Sequence, residues 1–244
     1  MGLAEEIAGW LRGQIEGAGL SGAVLGLSGG IDSAVVAGLC ARAVGPENVL
    51  GIAMPAHSLP ADVEHAQLTA KTFGIDYRVV DLSGIYDAFI ELLPPGSQMA
   101  NANIKPRLRM ITLYHFANTM NRMVIGTGNR SELQVGYFTK YGDGGVDLLP
   151  IGGLLKTEVR ELAREIGVPQ VIIERAPSAG LWEGQTDEGE MGITYEQLDR
   201  TLAAIEAGDT SDIDPGVLEK VQHMHRTSEH KRKLAPVYQP QRAG

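Results

Sequence analysis

The sequence predicts an α/β fold, a doubly wound and mostly parallel sheet flanked by helices, and three observations carry that prediction. Four short apolar runs, residues 23–27, 49–53, 77–82 and 123–126, read as buried strands. Stretches with helical spacing of apolar residues separate them, so successive strands are joined by helical crossovers and lie parallel. The first and fourth runs open into glycine-bearing turns, and in such sheets ligands sit at the carboxyl ends of strands.

The elements follow in order. Residues 3–17 place Ile7, Trp10, Leu11 and Ile15 at helical spacing, with Gly17 and Gly19 closing a packing helix. The strand at 23–27 runs into Gly26-Leu27-Ser28-Gly29-Gly30-Ile31-Asp32-Ser33, and an alanine-rich helix over 34–43 follows. A glycine pair between strand and helix lets the chain turn tightly and leaves N–H groups pointing into one small volume at the helix's positive end. That arrangement binds phosphate. Ser28 and Ser33 add hydroxyls, and Asp32 makes sense beside phosphates as a ligand to Mg2+. A strand-to-helix turn capped by Asp and Ser is the competing account of the same residues. No Gly-Lys-Ser/Thr follows, so this is not a Walker A loop, nor is it a G-x-G-x-x-G fingerprint.

The next helix covers 61–73 with Gly74 as C-cap, and another covers 85–93. A long helix then runs from about Lys105 to Asn121, with Pro106 in its first turn. Arg107 and Arg109 near its start suit phosphate or carboxylate, or simply form a solvated basic face. After the fourth strand, Thr127-Gly128-Asn129-Arg130-Ser131-Glu132 makes a second glycine-bearing turn, which sets Glu132 as a second carboxylate facing Asp32 across the sheet end. Residues 136–147 hold too many glycines and polar side chains for a core element, and read as a binding surface or a plain surface loop. Lys156 opens an amphipathic helix ending at Gly167. Residues 176–190 form a polar, glycine-rich segment whose length suits a lid. Residues 195–207 and 215–234 are helical by period, the second closing on a basic run that complements the helix dipole.

Composition bounds the function. The chain has 244 residues, 43% of them hydrophobic and 21% charged, ordinary values for one globular domain with a real core. A formal charge of −9 argues against extended contact with nucleic acid or an anionic membrane. The single cysteine, Cys40, fits a buried small hydrophobe in a reducing compartment. No apolar stretch approaches the ~20 residues of a membrane span, and the first residues are acidic where a secretory leader is basic. A cytoplasmic location is therefore expected. His223 and His225, at i and i+2 on a helix, point apart and do not chelate one ion.

The Ser-Gly-Gly-x-Asp-Ser string resembles the phosphate loop of ATP pyrophosphatases, which cleave ATP between its α and β phosphates and pass AMP to a substrate. Further strings narrow the resemblance. Lys105-Pro106-Arg107-Leu108-Arg109-Met110, residues 126–132, residues 136–145 and Ser228-Glu229-His230-Lys231-Arg232 come in the order seen in NAD synthetases. The Phe-Thr-Lys-Tyr-Gly-Asp-Gly-Gly run from Phe138 to Gly145 discriminates best, since the phosphate loop is shared across the superfamily.

That resemblance implies an adenine nucleotide α-hydrolase-like fold and ATP-dependent amidation of nicotinic acid adenine dinucleotide (deamido-NAD). Gly26, Leu27, Ser28, Gly29, Gly30, Ile31, Asp32, Ser33, Thr127, Lys156 and Ser178 fall on family positions that contact ATP. Asp32 and Glu132 fall on Mg2+ ligands; Arg107, Lys140, Asp147, His230 and Lys231 fall on positions that bind deamido-NAD. Pro106 replaces the family's usual Ala and Ser178 its usual Thr, neither of which removes a charge. Glutamine-using members carry a separate glutaminase domain, whereas only about two dozen residues precede the phosphate loop here. The expectation is thus one synthetase domain over 1–244 that takes ammonia directly or from a separate glutaminase partner, working as a homodimer with deamido-NAD across the interface. Other ATP pyrophosphatases and a non-catalytic nucleotide sensor are the competing readings, and a sensor should lack one of Asp32, Glu132 or Lys156.

Overall fold

A computed structural model describes residues 2–178, 180–182 and 184–240. The chain starts with α1 (Leu3–Gly17), β1 (Ala23–Gly26), α2 (Ile31–Val44), β2 (Val49–Ala53), α3 (Pro60–Phe73) and β3 (Asp76–Val79). It continues with α4 (Ser83–Glu91), α5 (Gln98–Ala102), α6 (Ile104–Met120) and β4 (Met123–Ile125). The remaining helices are α7 (Arg130–Val135), α8 (Lys156–Ile166), α9 (Gln170–Ile173), α10 (Asp187–Met191), α11 (Tyr195–Ala207), α12 (Pro215–Thr227) and α13 (Glu229–Arg232).

The four strands pair in the order β3-β2-β1-β4, all parallel. From β1 the chain moves outward to β2 and β3, then returns across the sheet to place β4 on the other side of β1. The order reverses between β1 and β4, and the crevice at that switch point is where such sheets bind ligands. The sheet is short, and β1 and β2 are buried on both faces, so they read as unbroken apolar runs rather than alternating ones. Ala23, Leu25 and Leu27 join one core with α1, α2, α3, α8 and α9. Val24, Leu50, Ile52 and Val124 face the other way, against Leu113 and Ala117 of α6. A third cluster, containing Val135, Leu198, Leu202 and Val221, ties α7, α11 and α12 together beside the sheet.

Three elements differ from their sequence reading. Trp10 is 44% exposed, and α1 packs through Ala4, Ala8, Leu11 and Ile15 instead. Those four positions share one side of the helix, and at 3.6 residues per turn Trp10 falls on the other. The third strand ends at Val79, yet the Val80 and Leu82 N–H groups still donate to Ala53 and Pro55 (2.9 and 2.7 Å), so the ladder continues past the regular strand. The expected single helix over 215–234 breaks at Ser228. There the chain presses on the αL residue Gly136, where a Cβ would lie 2.1 Å from the Ser228 Cβ. Only glycine admits that contact.

Cys40 is fully buried on α2, and burial pushes its thiol pKa up to about 12. The native protein should give no reaction with a thiol reagent at pH 8, and one thiol per chain once denaturant is added.

Candidate active site

The loop after β1 folds as the glycines dictate. Gly29 takes φ +79, a conformation that leaves its neighbours' N–H groups on one side. Ser33, in the first turn of α2, donates its hydroxyl to the Gly30 carbonyl (3.0 Å) and accepts from the Ser28 N–H (3.3 Å). The Ser28 hydroxyl accepts from the Gly30 N–H (3.2 Å) and lies 3.1 Å from the Ser33 hydroxyl. Both serine hydroxyls thus brace the loop. Leu27 and Ile31 point into the core, so only their backbone faces the crevice. Gly26 ends β1 on the opposite side of the same turn.

Across the crevice, the turn after β4 is shaped by a reciprocal cap. The Asn129 side chain accepts from the Glu132 N–H (3.0 Å), while Glu132 Oε2 accepts from the Asn129 N–H (3.3 Å). This leaves Glu132 Oε1 free to face β1's loop. Asn129 also donates through Nδ2 to Asp32 Oδ1 (3.0 Å), joining the two turns directly.

Lys156 completes the cluster. It opens α8, its backbone N–H donating to the Ser131 hydroxyl (2.9 Å); Ser131 in turn donates to Asp199, whose other oxygen accepts from the Thr157 N–H (2.9 Å). With its backbone fixed, the Lys156 ammonium donates to Asp32 Oδ2 and to Glu132 Oε1 (3.3 Å). It also lies 4.9 Å from the centre of the Tyr195 ring, a cation–π contact. Lys156 is 1% exposed. Burial alone would lower its pKa, but Asp32 and Glu132 outweigh that and hold it above the ordinary lysine range. Glu132 is driven up to about 7, chiefly by burial; Lys156 opposes this, and the negative charges of Asp32 and Asp187 add to it.

One ammonium therefore serves two carboxylates, with a third, Asp187, close by. The surplus negative charge and the all-oxygen donors fit a hard divalent cation such as Mg2+, which takes one or two carboxylates and completes its shell from substrate phosphates. Among the described residues no group of three or more Asp, Glu, His or Cys is placed to hold an ion.

The Tyr195 hydroxyl contacts Glu132 Oε1 (3.2 Å) and Asp187 Oδ2 (3.0 Å). Asp187 also accepts from the Tyr137 hydroxyl (3.1 Å), which reaches Glu190 as well (2.8 Å). Burial, foremost, raises the Asp187 pKa above the usual carboxylate range. This network connects Glu132 to the loop after α7.

That loop carries the second group of residues. Arg107 donates to the Lys140 carbonyl (3.3 Å), Lys140 donates through Nζ to the His230 carbonyl, and Lys231 donates to the Gly136 and Phe138 carbonyls (2.7 and 2.8 Å). Arg107, Lys140, His230 and Lys231 therefore gather at one place. Asp147 stands apart: its carboxylate accepts from the Tyr114 hydroxyl (2.8 Å) and the Val124 N–H (2.9 Å), beside the edge strand β4. Tyr114 lies seven residues beyond Arg107 on α6, about 10 Å along the helix. Arg109 turns inward, donating to the Met54 carbonyl (3.1 Å). Thr127 lies two residues past β4, after Gly126, and is half-buried. The basic run at the chain's end divides its work, with Arg232 donating to the Leu133 and Gln134 carbonyls (both 3.1 Å).

Ser178 donates to the Gln185 carbonyl (2.7 Å) and accepts from the Gly180 N–H (3.1 Å). The reading of 176–190 as a lid falls partly on Ala179 and Glu183, which lie outside the described residues; its last residues, from Asp187, are helical rather than loop. Asn129, Tyr195, Asp187 and Asp199 carry no role in the sequence reading. Of these only Asn129 had a local signal, the Asn-x-x-Glu capping spacing.

The NAD synthase family model matches residues 3–235 of this chain. The chain belongs to the NAD synthase family. An NH3-dependent NAD+ synthetase of Archaeoglobus fulgidus is 51% identical over 237 residues, covering 96% of this chain and 95% of that one. Two solved structures of the family's shape cover it almost entirely. An NMN synthetase from Francisella tularensis has a TM-score of 0.89 at 37% identity, over 97% of each chain. An NH3-dependent NAD synthetase from Campylobacter jejuni, in complex with nitrate, has a TM-score of 0.85 at 31% identity, over 97% of this chain and 98% of that one. The parallel sheet and its flanking helices are thus the NAD synthase architecture.

Proposed function

We propose that this chain amidates deamido-NAD to NAD with ammonia, using ATP and releasing AMP and pyrophosphate. The observation that carries the proposal is the Lys156 ammonium set between Asp32 and Glu132 at the switch point, at the mouth of a Ser-Gly-Gly loop. The nicotinate carboxylate is too poor a leaving group for direct attack by ammonia. It first attacks the α-phosphorus of ATP; the bond to the bridging oxygen breaks and pyrophosphate leaves. The acyl-adenylate so formed is attacked at its carbonyl by ammonia, the amide forms, and AMP departs with the bonding pair. The residues from Gly26 to Ser33 hold the phosphates through backbone N–H groups, with Thr127 and Ser178 as further ATP contacts. Lys156 lends positive charge as negative charge moves onto pyrophosphate. Asp32 and Glu132 would hold a Mg2+ ion, which supplies neutralisation of the phosphate charge. Arg107, Lys140, His230 and Lys231 form the basic patch for deamido-NAD, Asp147 contributing at its far side. No covalent nucleophile is required, and catalysis rests on positioning and electrostatics.

We further propose one synthetase domain acting as a homodimer in the cytoplasm, with ammonia taken free or from a separate glutaminase. The exposed apolar side chains Ile85, Phe89 and Leu92 of the α4 region and Ile111 of α6 support a second copy on that face. No helix among the described residues is long and apolar enough to cross a membrane.

The test incubates the protein with ATP, Mg2+, deamido-NAD and ammonium, and quantifies NAD, AMP and pyrophosphate. Equal yields of all three with ammonium, and none with glutamine, are expected. A parallel arm offers nicotinic acid mononucleotide, because one similar structure is an NMN synthetase. Preference for that acceptor would overturn the dinucleotide assignment, and no ATP cleavage with either would favour a nucleotide sensor.

A further inference from the structure

An ion pair outside the cluster described above bears on the phosphate loop from behind. Arg175 follows α9, whose Ile172 and Ile173 are buried in the core, so its backbone is anchored. Its guanidinium donates through Nη2 to Asp62 Oδ1, and the two side chains are 26% and 17% exposed. The other arm, Nη1, donates to the Gly29 carbonyl (3.5 Å) and meets His65 Nδ1 (3.4 Å). A guanidinium only donates, so His65 accepts through Nδ1 and carries its proton on Nε2. Asp62 is itself fixed, accepting from the Leu59 N–H (3.1 Å) in the first turn of α3. The same turn seats against the loop: a Cβ on Gly29 would lie 2.5 Å from the Asp62 carbonyl oxygen.

The consequence is stereochemical. The Gly29 carbonyl and the Gly30 N–H belong to one planar trans peptide and point in opposite directions. Neither flanking residue has a Cβ, so this peptide flips at little cost unless something holds it. Fixing its oxygen on Arg175 turns its N–H to the opposite side, where the Ser28 hydroxyl now accepts it (3.2 Å). We propose that Arg175, oriented by Asp62, is a positioning residue that locks the Gly29–Gly30 peptide, its N–H on the Ser28 hydroxyl, and so holds the loop in the shape that receives the phosphates of ATP. The pair joins residues 113 apart, linking α3 to the segment that leads to Ser178. This rests on the reading of Ser28 to Ser33 as the ATP phosphate loop.

The experiment titrates a non-hydrolysable β,γ-methylene analogue of ATP, with Mg2+, into the full chain by calorimetry. Arg175→Gln and Asp62→Asn are each expected to bind it about 10- to 100-fold more weakly, the loss of one charge-assisted hydrogen bond. The double variant should be no weaker than either single one, because the two act as a unit. Arg175→Lys restores the charge but not the fork that reaches two acceptors, and should recover part of the affinity. The KM for ATP should rise while the KM for deamido-NAD stays within twofold, a split that loss of fold does not produce. Binding within twofold of wild type in Arg175→Gln, or additive losses in the double variant, overturns the proposal. If Arg175→Gln does not fold, Asp62→Asn and Arg175→Lys decide by the same thresholds. Absence of analogue binding by the wild type would instead overturn the phosphate-loop reading, and this proposal with it.

Discussion

Lys156→Met should destabilise the protein by about 3–5 kcal/mol and cut NAD formation by about a thousandfold. The stability loss follows from burial: Lys156 is 1% exposed, and its removal strands Asp32 and Glu132, whose side chains are only 18% and 16% exposed, without their counter-charge. A methionine of similar length keeps the packing, so the effect is electrostatic. The pH dependence has a definite sign. A carboxyl whose folded pKa lies above its unfolded value favours folding while protonated and loses that contribution as pH rises. Glu132 already stands near 7 with Lys156 present. Without the ammonium Glu132 loses the charge that opposes its rise, so the variant's deficit should be small at pH 5 and large at pH 8. Urea denaturation at the two pH values measures it. Adding Asp32→Asn to Lys156→Met should return most of the stability and none of the activity; a double variant as unstable as the single one would refute the electrostatic account.

Asp32→Asn alone separates chemistry from folding most cleanly. Asparagine keeps the shape; its one acceptor oxygen turns to Lys156 and gives up the bond from Asn129, while Lys156 also retains Glu132. Removal of one negative charge from a site with a surplus should leave the melting temperature unchanged or slightly raised. Adenylation, by contrast, should fall at least a thousandfold, about 4 kcal/mol, because the site then offers only one carboxylate to the metal. Deamido-NAD-dependent exchange of labelled pyrophosphate into ATP isolates this first step. Exchange at the wild-type rate would remove Asp32 from the metal-binding role. Loss of NAD formation with exchange intact would place it in the second step.

Much of this was legible because the signals are local. Apolar runs mark β1, β2 and β4, the first and last opening into glycine-bearing turns, and Gly74 and Gly167 take the left-handed C-cap conformation that their positions imply. Asp32 and Glu132 could be placed opposite one another from topology alone, since each follows a strand flanking the switch point. What sequence reasoning missed depends on distant partners. Tyr195 looks like one apolar residue of a helical stripe, yet it reaches Glu132 across 63 positions. Trp10 has a helical spacing from Ile7, but the face that α1 buries is the one carrying Ala4, Ala8, Leu11 and Ile15. Ser178 donates its hydroxyl to the Gln185 carbonyl, a pairing inside its own loop that the sequence does not signal. Lys156 emerged only through family resemblance, because a lysine opening an amphipathic helix carries no local sign of burial.

The seat of Ser228 against Gly136 has a consequence for timing during synthesis. The ribosome releases the phosphate loop early, but Lys231 supports the carbonyls of the loop after α7 from 95 positions downstream. Vectorial emergence therefore delivers the Ser28–Ser33 loop long before the residues of the basic patch, and a chain that stops short of residue 228 lacks the lysine that supports the Gly136 and Phe138 carbonyls.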